Sequence, residues 1–171
     1  MRFGRWLLAL VLGAAAAAAA AQPVVVRAGR LLDVEHGRYL LDQAIRIDDG
    51  RIVSVSPWGA GARGGAQFID WSAYTVLPGL IDLHTHLVGD ISSADVAAPL
   101  SSSAASDALI GAAHARATLA AGFTTVRDVG TYRAHVDVAL RNAINAGLVE
   151  GPRMYVAGAF SSAGGAPARG V

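Results

Sequence analysis

The sequence predicts an α/β chain in which a small β unit precedes parallel strands alternating with helices. Two observations predict it. Between Val24 and Val76, short runs alternate apolar and polar residues and are parted by turn signals, the pattern of strands with one solvated face. After Pro78 the rhythm becomes strand, helix, strand, helix, strand. Alternation of that kind implies parallel strands joined by right-handed crossovers.

Ahead of both lies a segment, residues 1–21, that reads as a secretory signal. Arg2 and Arg5 make it positive, Trp6 to Leu12 make it apolar, and the alanine run Ala14 to Ala21 offers a cleavage point before Gln22. The apolar stretch is short for a membrane span, which takes about 20 residues. An uncleaved anchor is the alternative reading. The expected product is an exported chain, periplasmic or secreted, with no stable membrane anchor after cleavage. The sequence has no cysteine, which excludes a lipid on cysteine and any disulfide. Its net charge is +1, and its 14 basic residues, all arginine, are scattered along the chain. No nucleic-acid surface is expected from that distribution.

The β segment is expected over 22–77. Val24-Val25-Val26 is a β-branched run. Ala44 to Ile47 and Arg51 to Val55 alternate on either side of Asp48-Asp49-Gly50, a hairpin signal. Phe68 to Asp70 and Tyr74 to Leu77 add two short strands beyond the glycine-rich Gly59 to Gly65, and the whole reads as an antiparallel unit.

The second segment, 78–171, opens with Leu80 to His84, apolar enough for a buried parallel strand. A loop rich in Ser and Ala follows to about Ser103. Ser106 is expected to cap a helix that runs to about Ala121 and stops at Gly122. Phe123 to Arg127 is the next strand, about His135 to Ala146 the second helix, and Arg153 to Ala157 the third strand. Gly164 to Val171 has no periodic pattern. Three strands and two helices do not close a (β/α)8 barrel, which takes about 250 residues.

The chemistry concentrates in Pro78-Gly79-Leu80-Ile81-Asp82-Leu83-His84-Thr85-His86-Leu87. Side chains alternate along a strand, so His84 and His86 point the same way, with Asp82 one layer deeper. Two imidazoles at the C-terminal end of a parallel strand suit a divalent metal such as zinc, and that end is where barrel active sites sit. Asp82 either orients a histidine or makes a structural hydrogen bond. Asp128, at the end of the second strand, either contacts substrate or a metal ligand's neighbour, or is a capping or loop aspartate. His114 reads as a solvated or packing residue of the first helix. His36 and His135 have no partner at metal-ligand spacing. Ser92, Ser93 and Ser101 to Ser103 lack the strand–turn–helix context of a nucleophilic serine.

The ten-residue string resembles the metal-binding signature at strand 1 of the amidohydrolase superfamily. Val24 to Val76 looks like that family's N-terminal β-sandwich segment. Ala121 to Gly130 and Gly151 to Gly158 look like strands 2 and 3 of its imidazolonepropionase-like and Xaa-Pro dipeptidase-like branch.

The resemblance implies the N-terminal part of a metal-dependent hydrolase TIM (β/α)8 barrel preceded by a small β-sandwich segment, the barrel incomplete in this chain. It implies hydrolysis of a carbon–nitrogen bond in a small amide, cyclic amide or dipeptide through a metal-activated water. One or two zinc ions would serve the full-length enzyme. His84 and His86 would hold the more buried metal. Histidines on strands 5 and 6, a carboxylated lysine on strand 4 and a late aspartate would complete the site.

The chain departs from that pattern. It is under half the family length and has no lysine, and Ser161 to Pro167 stands where relatives usually carry Gly-Gly-His-Gly. This chain alone is therefore expected to be inactive, with no catalytic residue of its own. The rival readings are a non-catalytic truncated remnant and a secreted binding module built on the β segment. The second is disfavoured because so short a unit has little core.

Overall fold

The computed structural model describes residues 22–89 and 101–159. The expected signal peptide, Ser92 and Ser93, and the segment from Ser161 onward lie outside the described residues. The chain divides into two compact units, one ending at Leu77 and the other beginning at Pro78.

The first unit is one four-stranded sheet. Its strands are β1 (Val24–Asp33), β2 (Arg38–Asp48), β3 (Arg51–Pro57) and β4 (Gln67–Val76), in the order β3-β2-β1-β4. Asp48 pairs with Arg51 across the expected hairpin. Its two central residues, Asp49 and Gly50, have φ of 46° and 68°. Left-handed backbone at both positions is what a type I′ turn requires, and its twist matches the flanking strands. The unit is not wholly antiparallel as the sequence suggested, because β4 returns to pair with β1 in parallel. The two short strands expected around Phe68 and Tyr74 are one strand with an irregularity between them.

That irregularity has a local cause. Ala28 pairs with Trp71 and Arg30 with Thr75, so β4 bulges opposite Gly29. A Cβ on Gly29 would stand 1.9 Å from the Ser72 carbonyl oxygen. Only glycine admits so close an approach of backbone. One face of the sheet packs Val26, Ala28 and Ile45 with Leu31, Ile69 and Val76 around them.

On the other face Phe68 is in register with Val25, and Trp58 lies against Phe68 with ring centroids 5.3 Å apart. Arg27 lies over Trp58 and makes a two-pronged ion pair with Asp42, at 2.7 and 3.0 Å. The Arg27 guanidinium holds the Asp42 carboxyl below its ordinary value. The Ser72 backbone N–H does the same for Asp70.

The second unit carries β5 (Leu80–Thr85), α1 (Ala104–Ala120), β6 (Phe123–Asp128), α2 (Val136–Asn145) and β7 (Arg153–Val156). Its three strands are parallel, in the order β5-β6-β7. Helix α1 packs on α2 and β6, and α2 packs on β7. The buried residues of α1, namely Asp107, Gly111 and Ala115, recur every fourth position. Two of the three are small, and a Cβ on Gly111 would already be 3.1 Å from Leu140. The core is Leu87, Val88, Ala115, Val126, Val136, Leu140 and Met154. Among the described residues no helix is long and apolar enough to cross a membrane.

Two local expectations are corrected. The cap of α1 is Ser103 rather than Ser106. The Ser103 hydroxyl accepts the Ser106 N–H at 3.1 Å, the usual N-cap geometry. The first parallel strand is also not buried. Leu80, Ile81 and Leu83 are 47%, 62% and 65% exposed. The reason is topological: among the described residues β5 is at the edge of the sheet, paired with β6 alone, while the helices pack on β6 and β7.

Two measurements check this description. Gly29→Ala forces the Ser72 carbonyl away and is expected to destabilise the chain by about 1–3 kcal/mol in chemical denaturation. Gly59→Ala, with open space at its Cβ, should change stability by no more than about 0.5 kcal/mol. The depressed Asp42 carboxyl stabilises the fold above its ordinary value of 3.8 and ceases to do so as pH falls through its lower folded value. In thermal melts of the full chain, the difference between wild type and Asp42→Asn should be constant from neutral pH to about pH 5 and shrink below about pH 4. A difference that grows on acidification would contradict the ion pair.

Candidate metal centre

His84 and His86 stand at the C-terminal end of β5 and just beyond it. Their rings lie edge to face with centroids 5.5 Å apart. Two imidazoles that share one tetrahedral zinc, each nitrogen about 2.0–2.1 Å from the ion, bring their centroids about 5 Å apart. The observed separation and the neutral-nitrogen donors both fit a divalent metal. His84 is exposed and His86 half-buried. Among the described residues no group of three or more His, Cys, Asp or Glu side chains is placed to hold a metal.

The strand that delivers them is not regular. Asp82 is in register with Val126 and Thr85 with Asp128, so β5 has one residue more than β6 over this stretch. Such a bulge resets the alternation of side chains, and Asp82 is not tied to the histidines by strand period. Its carboxylate turns back to accept the His84 backbone N–H at 3.0 Å. Asp82 thus braces the bulge that carries His84, through the His84 backbone rather than its imidazole.

His86 is held by hydrogen bonding from the next strand. Its Nδ1 lies 2.9 Å from the Gly130 carbonyl oxygen. Gly130 has a φ of 130°, a region that L side chains rarely adopt, and this backbone turn presents the carbonyl to the ring. A carbonyl can only accept, so Nδ1 carries the proton and in the neutral ring the lone pair is on Nε2.

Asp128 lies beneath this contact and is fully buried. Its Oδ2 accepts the Leu87 N–H at 2.8 Å and its Oδ1 accepts the Gly130 N–H at 3.1 Å. Burial pushes the Asp128 carboxyl above its ordinary value, against the two amide donors that favour its ionised form.

Sequence reasoning missed two further parts. His114, read there as solvated or packing, places its Nδ1 2.9 Å from the Leu87 carbonyl oxygen. Both main-chain polar groups of Leu87, its N–H and its carbonyl, are therefore taken by side chains from β6 and α1. Asp137, also fully buried, accepts the Gly158 N–H at 2.8 Å and the Val138 N–H at 2.8 Å. It does for the end of β7 what Asp128 does for the end of β5. No spacing marks either contact in the sequence, since the partners lie 27 and 21 residues apart. His135 is the N-cap of α2 and has left-handed backbone, and His36 pairs with Asp33 in the β1–β2 turn. Among the described residues neither joins the histidine pair in a group of three or more candidate metal ligands.

The model of the amidohydrolase family matches residues 75–165. No curated protein matches the chain. Among solved structures, a Xaa-Pro dipeptidase with methionine bound in its active site is similar over 80% of this chain and 33% of its own, at 32% identity and a TM-score of 0.70. A prolidase in complex with N-methylphosphonate-L-proline is similar over 80% of this chain and 32% of its own, at 33% identity and a TM-score of 0.67. An ochratoxinase from A. niger is similar over 81% of this chain and 31% of its own, at 28% identity and a TM-score of 0.64. The chain thus spans about a third of the length of the structures it matches.

The Asp137 strut can be measured separately. Asp137→Ala leaves the buried Gly158 N–H without its acceptor, and a loss of about 1–3 kcal/mol is expected in urea denaturation. An unchanged midpoint would show that the strut carries no stability.

Proposed function

Since the chain belongs to the amidohydrolase family, we propose that it supplies the histidine pair of the metal centre of a hydrolase acting on carbon–nitrogen bonds. The substrate class is a small amide, a cyclic amide or a dipeptide, as the similarity to an Xaa-Pro dipeptidase and a prolidase suggests. The observation that carries the reading is the adjacency of the His84 and His86 rings at the end of β5, with His86 Nδ1 against the Gly130 carbonyl. A divalent metal held there, zinc by the chemistry of its donors, would supply Lewis-acid activation of water and of the scissile carbonyl.

The residues of this chain have narrower roles. His84 and His86 bind, Asp82 and Gly130 orient them through backbone contacts, and the buried Leu87 and Val88 anchor the chain just after His86 in the core. Two imidazoles are half of a four-ligand shell, so turnover is expected to need donors beyond these residues. The same reading places the protein outside the cytoplasm, because residues 1–21 have the composition of a cleaved signal. Edman sequencing of the exported chain would then begin at Gln22.

Zinc titration of the full chain tests the central point. About one zinc per chain is expected, and it should be lost in His84→Ala/His86→Ala, with no hydrolysis of Xaa-Pro dipeptides by the isolated chain. Zinc retained by the double variant would sink the assignment of the pair as ligands.

A further inference from the structure

We propose that Asp128 is a positioning residue for His86, acting through the backbone of Gly130 to hold the imidazole as the Nδ1–H tautomer with Nε2 as ligating atom. The proposal rests on the reading of His86 as a metal ligand and deepens it. A neutral imidazole has two tautomers, and the one present is set by what the non-ligating nitrogen meets. Here that nitrogen meets a carbonyl oxygen at 2.9 Å. The carbonyl belongs to a residue, Gly130, whose N–H on the other side of its Cα is held by Asp128 Oδ1, at 3.1 Å.

The other carboxylate oxygen grips the Leu87 N–H at 2.8 Å, and Leu87 follows His86 directly. One carboxylate therefore fixes both the backbone that carries the ring and the residue that supplies its acceptor. His114 closes the arrangement by bonding the Leu87 carbonyl. Asp128 has no exposed surface, and both its oxygens accept backbone amides. Of the roles open to it from sequence, these contacts support the one exerted through a neighbouring residue over direct contact with substrate. Asn at this position keeps the shape but offers one acceptor oxygen instead of two, so one of the two amides loses its partner.

The test uses the full chain, labelled with nitrogen-15 and free of metal, at about pH 8, where imidazoles are neutral. Two-bond proton–nitrogen correlations report each histidine's tautomer, and His86→Gln assigns the His86 signals. The expected result is His86 as Nδ1–H in the wild-type chain and a mixture of tautomers in Asp128→Asn. Zinc affinity of that variant, by chelator competition, should fall about 10–100-fold.

Asp137→Asn is the control, since it breaks the equivalent strut at the end of β7 and a merely structural role would make the two variants alike. It should lower stability and leave the His86 tautomer and zinc affinity unchanged. Gly130→Ala, which disfavours the φ that presents the carbonyl, should reproduce the mixture if Asp128→Asn does not fold. An Nε2–H His86 in the wild-type chain overturns the proposal. So does a folded Asp128→Asn with unaltered tautomer and affinity, or an Asp137→Asn that moves both equally. A wild-type chain that binds no zinc, yet shows Nδ1–H His86 redistributed by Asp128→Asn, overturns the metal reading and supports the positioning role.

Discussion

A carboxylate removed from water must be met by donors, and the unit from Pro78 onward is organised around how Asp128 meets its own. Leaving a buried charge without hydrogen bonds costs several kcal/mol. Asp128 sits where β6 ends, so the donors within reach are amides of irregular backbone, which themselves need acceptors once buried. The Leu87 N–H comes from the end of β5 and the Gly130 N–H from the end of β6. Each group removes the other's penalty, and the separation of two strand ends is fixed as a result. Asp137 repeats the solution one strand further on, with the Gly158 and Val138 amides. Loops that would otherwise be free to move are thereby tied to the sheet at its C-terminal edge.

The same unit is open elsewhere. A parallel sheet is ordinarily covered on both faces by its crossover helices. Here α1 and α2 bury Val126 and Met154, while Leu80, Ile81 and Leu83 on β5 and Tyr155 on β7 stay exposed. Among the described residues these two strands form the sheet's edges and carry exposed apolar side chains, which natural folds generally protect. Stability within the unit therefore comes from the β6–helix core and from the buried aspartates. The first unit differs, because its close approach at Gly29 and its ion pair at Asp42 bend and fasten a sheet whose strands are joined mostly by short local turns.

What the sequence made legible is what depends on neighbours in the chain. Asp49-Gly50 announces its turn because positive φ at two successive residues restricts the residue types. The histidine string and the strand–helix alternation are read in the same way, from spacing. The parallel return of β4 to β1 was not legible, since it pairs residues about 40 apart and leaves no periodic trace. Asp128 shows the limit most clearly. An aspartate closing a strand has the same local pattern whether it faces solvent, a substrate or two buried amides, and only its burial separates these cases. His114 is similar: on the helix surface its letter is neutral, and its meaning comes from the Leu87 carbonyl across the crossover.

The two histidines are unequally held, and that asymmetry follows from the topology. His86 lies where β5 meets the buried Leu87 and Val88, so its backbone belongs to the core and its ring finds a fixed acceptor. His84 lies on the exposed edge strand, where Asp82 fixes its N–H and leaves the ring angle to the bulge. Fixing a side chain's rotamer opposes binding by about 0.5–1.5 kcal/mol. For His86 that ordering is already done by the fold, whereas for His84 it falls to whatever bridges the two rings. On the proposed reading the pair would offer a metal one rigid and one adjustable donor, the rigid one bonded to a residue that a buried carboxylate holds.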